Sequence, residues 1–221
     1  YKYHEWFEER MRVRLDEVKK EYSVRNQVEI SKVPLYKVKT PLQRAIQLLK
    51  RHRDIMYDAL PEVRKDNAPI SIIITTLAAQ AYNNEANIYE ALCNIVENMS
   101  KYIKQSGDTF IIANPVMPEE NFADKWNENP EKAREFFRWL ELAKTAILTA
   151  PINAQGLHKA SEALEVCFGR NIVRRSLVDD GHDTKIARES KTLYVDGLTG
   201  GLKTTPSQTT KKVGGHTFFG K

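Results

Sequence analysis

Lys50-Arg51-His52-Arg53 is the densest run of side chains able to do chemistry in this sequence. Lysine and arginine at a helix edge hold phosphates through charge-assisted hydrogen bonds; the same run also reads as an ordinary solvated helix face. Ser71 is the second candidate, in the first turn of an Ile-rich segment. Unpaired backbone N–H groups and the helix dipole favour an anion there, although a serine at that place also reads as a simple cap. Asp179, Asp180 and Asp183, with His182 beside them, read as solvated loop acids rather than a metal site. His4, His52, His158, His182 and His216 are scattered, and none pairs with a suitable nucleophile. Cys93 and Cys167 stand alone among apolar residues and read as small core residues in a reducing compartment. No glycine-rich phosphate loop, His-Glu-x-x-His, Gly-x-Ser-x-Gly or strand-borne Asp-x-Asp is found. The expectation is a chain without a complete catalytic centre.

The composition fits a globular protein: 221 residues, 41% hydrophobic and 29% charged. No apolar run approaches the roughly 20 residues that cross a bilayer, and no signal-peptide pattern opens the chain. A cytoplasmic protein is expected. The formal charge of +5 points mildly to phosphate-bearing partners. No extended basic stripe or zinc thumb supports a nucleic-acid partner. The first residue is Tyr1 rather than Met, which reads as a start inside a longer product.

The elements that would position these residues are helices. Phe7, Met11, Leu15, Val18 and Tyr22 repeat at helical spacing. Thr40 and Pro41 form an N-cap and first helical residue. They open a helix with Leu42, Ala45, Ile46, Leu49 and Met56 on its buried side, and Gln43, Arg44, Lys50, Arg51 and Arg53 on the other. Ile70 to Tyr82 is apolar nearly all round and reads as a central buried helix. Ile88 to Ile103 keeps a 3.6-residue period for more than four turns, with Gly107 ending it. Thr109 to Ala113 reads as one short strand, and Asn114 to Phe122, with two prolines, as an irregular loop. Asn129 and Pro130 repeat the cap-plus-proline signal before a helix with Phe136, Phe137, Leu140, Ala143 and Ile147 inward. A final helix is expected from about Gln155 to Phe168. The fold class is therefore mostly α, a helical bundle over residues 1–176 with a short strand.

Residues 177–221 differ in character. Seven of the ten glycines lie between Gly181 and Gly220, with many Thr and Lys and no helical period. Such a segment reads as a flexible tail that orders on meeting a partner.

Three stretches carry a family resemblance. They are Val38-Lys39-Thr40-Pro41-Leu42-Gln43-Arg44-Ala45-Ile46-Gln47-Leu48-Leu49-Lys50-Arg51-His52-Arg53-Asp54, Pro69-Ile70-Ser71-Ile72-Ile73-Ile74-Thr75-Thr76-Leu77-Ala78, and Asn114-Pro115 through Asn121-Phe122-Ala123-Asp124-Lys125-Trp126. In order and spacing they resemble the C-terminal helical half of the bacterial cGAS/DncV-like nucleotidyltransferases, the cyclic-oligonucleotide synthases of CBASS anti-phage defence. The likeness runs from about residue 3 to 145 and thins beyond. It implies an enzyme that joins ATP, GTP or other nucleoside triphosphates with two Mg²⁺ ions, by metal-assisted phosphoryl transfer. The metal-binding carboxylates would sit in an N-terminal β-sheet core that this sequence lacks. Lys50 would contact nucleotide phosphates, Ser71 would add a second contact in the same pocket, and Arg51 is a further candidate. The Asn114 to Trp126 loop would pack between lobes.

The resemblance also gives the tail a meaning, because E1–E2-like enzymes conjugate many such synthases through the extreme C-terminus. Gly214-Gly215-His216-Thr217-Phe218-Phe219-Gly220 offers a slim lead, an aromatic anchor and then Gly220 as the conjugation site. Lys221 departs from that pattern. A terminal lysine is a poorer acyl donor, and removal, engineering or mimicry of a target lysine would each account for it. A plain disordered tail is the other reading. Two alternatives for the whole chain stand beside the enzyme reading: a non-catalytic interaction or modification-substrate module, and a nucleic-acid-binding helical domain.

Overall fold

The computed structural model describes residues 2–34, 38–149, 157–174, 188–196, 202–203 and 209–213. Two units make up the chain, residues 1–168 and residues 169–221.

In the first unit, the cap at Thr40 forms in both directions. Thr40 Oγ1 accepts from the Gln43 N–H at 3.3 Å, and Gln43 Oε1 accepts from the Thr40 N–H at 2.9 Å. This reciprocal pair satisfies two N–H donors that a bare helix end leaves unpaired. The helix it opens, α2 (Pro41–Asp58), buries Leu42, Ala45, Ile46 and Leu49, as the spacing predicts. Met56 is only half-buried, while His52 and Tyr57 join the buried side. Helix α4 (Ser71–Ala81) is the centre of the core: Ile73, Ile74, Leu77 and Ala78 are fully buried.

The long first helix, α1 (Lys2–Asn26), runs beside α4 in the same direction. Tyr3 shares a 2.8 Å hydrogen bond with Thr76, and Arg14 Nε donates to the Asn84 carbonyl at 2.7 Å. Between them, the Arg10 guanidinium donates to the carbonyls of Ala79 and Tyr82 at the C-terminal end of α4. Those acceptors have lost their helical partners, and the dipole favours a cation there. Farther along α1, Leu15, Val18 and Tyr22 pack with Val33 and Val38 in a separate small cluster.

Helix α5 (Ile88–Asn98) buries Ala91, Leu92, Ile95 and Val96. The predicted period through Ile103 then fails, because a 3₁₀ turn follows at Met99–Tyr102 and leaves Tyr102 exposed. Asn98 Nδ2 donates to the Asn94 carbonyl at 2.9 Å, competing with the α-helical ladder at that end.

Where a single strand and an irregular loop are expected, two hairpins form. The first pairs β1 (Lys104–Ser106) with β2 (Thr109–Ile111), and the second β3 (Ala113–Asn114) with β4 (Met117–Asn121). Gly107 makes the first turn with a left-handed φ of +59°, rather than ending a helix. Asn121 ties the two hairpins: its side chain accepts from the Ile112 N–H at 2.8 Å and donates to the Phe110 carbonyl at 2.9 Å.

Two helices complete this region, the short α6 (Asp124–Glu128) and then α7 (Pro130–Lys144), which the Asn129 side chain caps as predicted. On α6, Trp126 is buried 5.0 Å from the Phe136 ring of α7, so the aromatic end of the third stretch packs inside this unit. Trp139, fully buried, is an inward residue that the pattern of Phe136, Leu140 and Ala143 leaves out. Glu135 is buried too. Its carboxylate accepts from Tyr57 Oη at 2.8 Å and from Arg64 Nε at 3.0 Å, tying α3 (Glu62–Lys65) and α2 to α7. Burial alone would raise the Glu135 carboxyl; the bonds from Arg64 and Tyr57 outweigh it and hold it below its usual value. A π-helical turn, Thr145–Thr149, ends α7, and α8 (Leu157–Phe168) follows as expected.

In the second unit, residues 170–174 are helical. Strand β5 (Tyr194–Asp196) lies between β6 (Leu202–Lys203) and β7 (Thr210–Lys212), all antiparallel. Val195 pairs with Leu202 on one side and Lys211 on the other. Composition alone shows no such sheet: its strands are two and three residues long, too short for a period to emerge.

Candidate functional site

Lys50 stands at the middle of α2, where that helix faces a cleft of about 310 Å³. Phe7 from α1, Val38 and Lys39 before the cap, Gln47 one turn back, and Thr75 from α4 also line it. The shape follows from the local folding. The capping box fixes where α2 starts, and the buried Ile face of α4 turns Thr75 to the cleft side.

The electrostatics centre on Lys50. Its side chain is half-buried, and no hydrogen bond or ion pair engages its Nζ among the described residues. Burial pushes its pKa below the usual lysine value; the nearby Arg53 adds to the shift, and Asp54 opposes it. An ammonium in that state gains from an anion that enters the cleft.

The four sequence candidates do not all meet. Ser71 is the first residue of α4, after Ile70, which caps the helix without a side-chain bond. It is exposed and does not line the Lys50 cleft. Its hydroxyl accepts from Arg53 Nη1 at 3.0 Å, and its carbonyl accepts from the Thr75 hydroxyl at 2.8 Å. Ser71 is therefore joined to the cleft through Thr75 and Arg53, not by direct contact. Arg51 is exposed and outside the cleft lining. Gly220 lies outside the described residues, as do Lys221 and the acidic group Asp179, Asp180, Asp183 with His182.

Arg53 stands in the basic run that the sequence offers, though the resemblance singles out Lys50 and Arg51 rather than it. It binds Asp54 Oδ1 through Nη2 at 2.7 Å and the Pro69 carbonyl through Nη1 at 2.9 Å, besides Ser71. One guanidinium thus fixes the entry to α4 beside Lys50. The signal was present in the spacing: Arg53 is three residues from Lys50 and shares its side of the helix, whereas Arg51 is one residue on and points elsewhere.

Lys39 and Lys50 thus give the cleft two cationic side chains, and the first residue of α4 stays outside its lining. Among the described residues no three His, Cys, Asp or Glu side chains gather as a metal site. No described helix is long and apolar enough to cross a membrane.

No protein-family model matches the chain. It is 39% identical over 141 residues to a c-di-GMP synthase of Roseivirga ehrenbergii, an alignment that covers 62% of this chain and 35% of that protein. It is 26% identical over 136 residues to the cyclic dinucleotide synthase CdnG of Bradyrhizobium diazoefficiens, covering 60% and 32%. The matched part of the chain thus spans about a third of these relatives' length. Among solved structures, the fold resembles the Bradyrhizobium diazoefficiens CD-NTase CdnG in complex with GTP. The TM-score is 0.55 at 21% identity, covering 80% of this chain and 53% of that one. In sequence the chain is similar to these cyclic dinucleotide synthases over part of its length, and its mostly helical fold resembles part of the CD-NTase CdnG.

Proposed function

We infer that this chain is the helical lobe of a cytoplasmic cyclic-oligonucleotide synthase serving CBASS anti-phage defence, and that Lys50 holds the phosphates of its nucleoside triphosphate. The observation carrying this reading is the half-buried Lys50 ammonium, open to a cleft and unpartnered among the described residues. Phosphate supplies the negative charge that burial and Arg53 make favourable there. Ser71 and the free N–H groups of the first α4 turn add donors at the margin, and Arg53 sets their position. The c-di-GMP in one curated relative's name, and the GTP in the solved neighbour, make GTP the first substrate to try, with ATP second. Mg²⁺ would be held by carboxylates of an N-terminal core outside this sequence. Lys50 and Ser71 would position nucleotide; neither would be the base or a metal ligand.

The test is GTP affinity in the enzyme that contains this chain. Lys50→Ala removes a charged hydrogen bond and is expected to weaken binding about tenfold or more. Arg51→Ala, away from the cleft, should change it far less. Unchanged affinity in the Lys50 variant would remove the assignment.

A second role rests on the terminal Gly214-Gly215 and Phe218-Phe219-Gly220. An E1–E2-like enzyme would conjugate the chain through this terminus, with Gly220 as acyl donor once Lys221 is removed.

A further inference from the structure

Lys50 shares its cleft with a second lysine. Lys39, the residue before the N-cap of α2, lines the same recess. Its neighbours on both sides are anchored: Val38 is buried, and Thr40 is fully buried in the reciprocal cap with Gln43. The backbone around Lys39 is therefore held while its side chain stays exposed.

The ammonium is held as well, since Lys39 Nζ donates to Gln47 Oε1 at 3.2 Å. Gln43, Gln47 and Lys50 follow one another at spacings of four and three, which sets them on one side of α2, and all three line the cleft. Gln47 thus draws Lys39 to the stripe that carries Lys50. A lysine held in this way gives up rotamer freedom, and a single neutral acceptor returns little of it.

Charge supplies the rest of the argument. Among the described residues that line the cleft there is no Asp or Glu, and among the described residues no ion pair engages Lys39 or Lys50. Asp54, the carboxylate near Lys50, is taken up by the Arg53 guanidinium. Two cations in one recess repel each other until an anion lies between them. Of the three N–H donors of an ammonium, Gln47 takes one from Lys39, which leaves two for that anion. Lysine holds phosphate as a compact point charge, so two lysines at separate points of one recess match a chain of phosphates better than a single one.

We propose that Lys39 is a second phosphate-binding residue of this cleft, placed by Gln47, and that with Lys50 it makes the site prefer a nucleoside triphosphate over the monophosphate. This rests on the nucleotide reading of the cleft and adds the residue that senses the length of the phosphate chain.

The experiment measures the affinities of GTP and GMP for the enzyme that contains this chain, by titration calorimetry. Lys39→Met keeps the side-chain length and removes the charge. It should weaken GTP about tenfold and GMP by less than about twofold, so the preference for GTP falls. Because Lys39 is exposed, the change spares the core. Lys39→Arg, which keeps the charge, should retain most of the preference, and Gln47→Leu, which removes the acceptor alone, should lose part of it. Equal losses for GTP and GMP in Lys39→Met overturn the proposal. So does GTP affinity that Lys39→Met leaves unchanged while Lys50→Ala weakens it, and in that case the nucleotide reading stands. If neither variant alters GTP binding, both fall together.

Discussion

Lys50 and His52 sit two residues apart, and burial lowers the pKa of both, with different consequences. Lys50 stays charged and becomes a better host for an anion. His52 moves from an ordinary 6.5 to about 4 and becomes neutral. Between those values the unfolded chain takes up a proton that the folded chain refuses. Stability from this group is therefore complete above about pH 6.5, declines as pH falls, and levels off below about pH 4. The full span corresponds to roughly 3 kcal/mol. Urea unfolding between pH 7 and pH 5 should show this slope, and His52→Phe should flatten it; equal slopes would refute it. At this scale the sequence was partly legible. The basic run was visible, and so was Lys50 within it. Arg51 and Arg53 both stand in that run, and the helix turns them to different sides by angle. The bond from Arg53 to Ser71 spans 18 positions, and no local pattern records it.

Helix ends were the most readable elements, because their chemistry is local. Thr40-Pro41 and Asn129-Pro130 both cap helices as their residue types require. Thr40 is fully buried, and its hydroxyl also donates to the Met11 sulfur at 3.3 Å. Thr40→Ala should therefore cost about 1–2 kcal/mol. In denaturant unfolding the midpoint should fall while the m-value holds. A loss within a few tenths of a kcal/mol would mean that the box contributes little here. The two hairpins were less legible. Their strands are too short for alternation to show, and Asn121 and Asn127 hold them through side-chain bonds to Phe110. The 3₁₀ turn after Asn98 was hidden for a related reason, since a side chain there takes a backbone acceptor.

For the whole molecule, the question is how one lobe and a glycine-rich terminus serve one protein. The body has its own core, built around α4, and would keep it whatever happens at the terminus. Among its described residues the second unit has short strands and a helical stretch at 170–174, and its sequence closes on Gly, Thr and Phe before Lys221. Conjugation at that ending should therefore be separable from folding. Incubation of the chain ending at Gly220 with an E1–E2-like enzyme and ATP should give an adduct at its terminal carboxylate, read by mass spectrometry. Deleting the last few residues should abolish the adduct and leave the melting temperature unchanged. An adduct that survives the deletion would end the idea.

One helix connects what the cores keep apart. At about 1.5 Å per residue, α1 extends for roughly 37 Å, more than twice the length of α4. Its early part is pinned to α4 at Tyr3 and Arg10, Phe7 lines the cleft, and its later part belongs to the cluster with Val33 and Val38. Val38 in turn lines the same cleft as Phe7. The helix is thus a splint with two fastenings, and the recess lies where both bear on it. Slack at the distant fastening would be felt at Lys50 as a change in the gap between Phe7 and Val38.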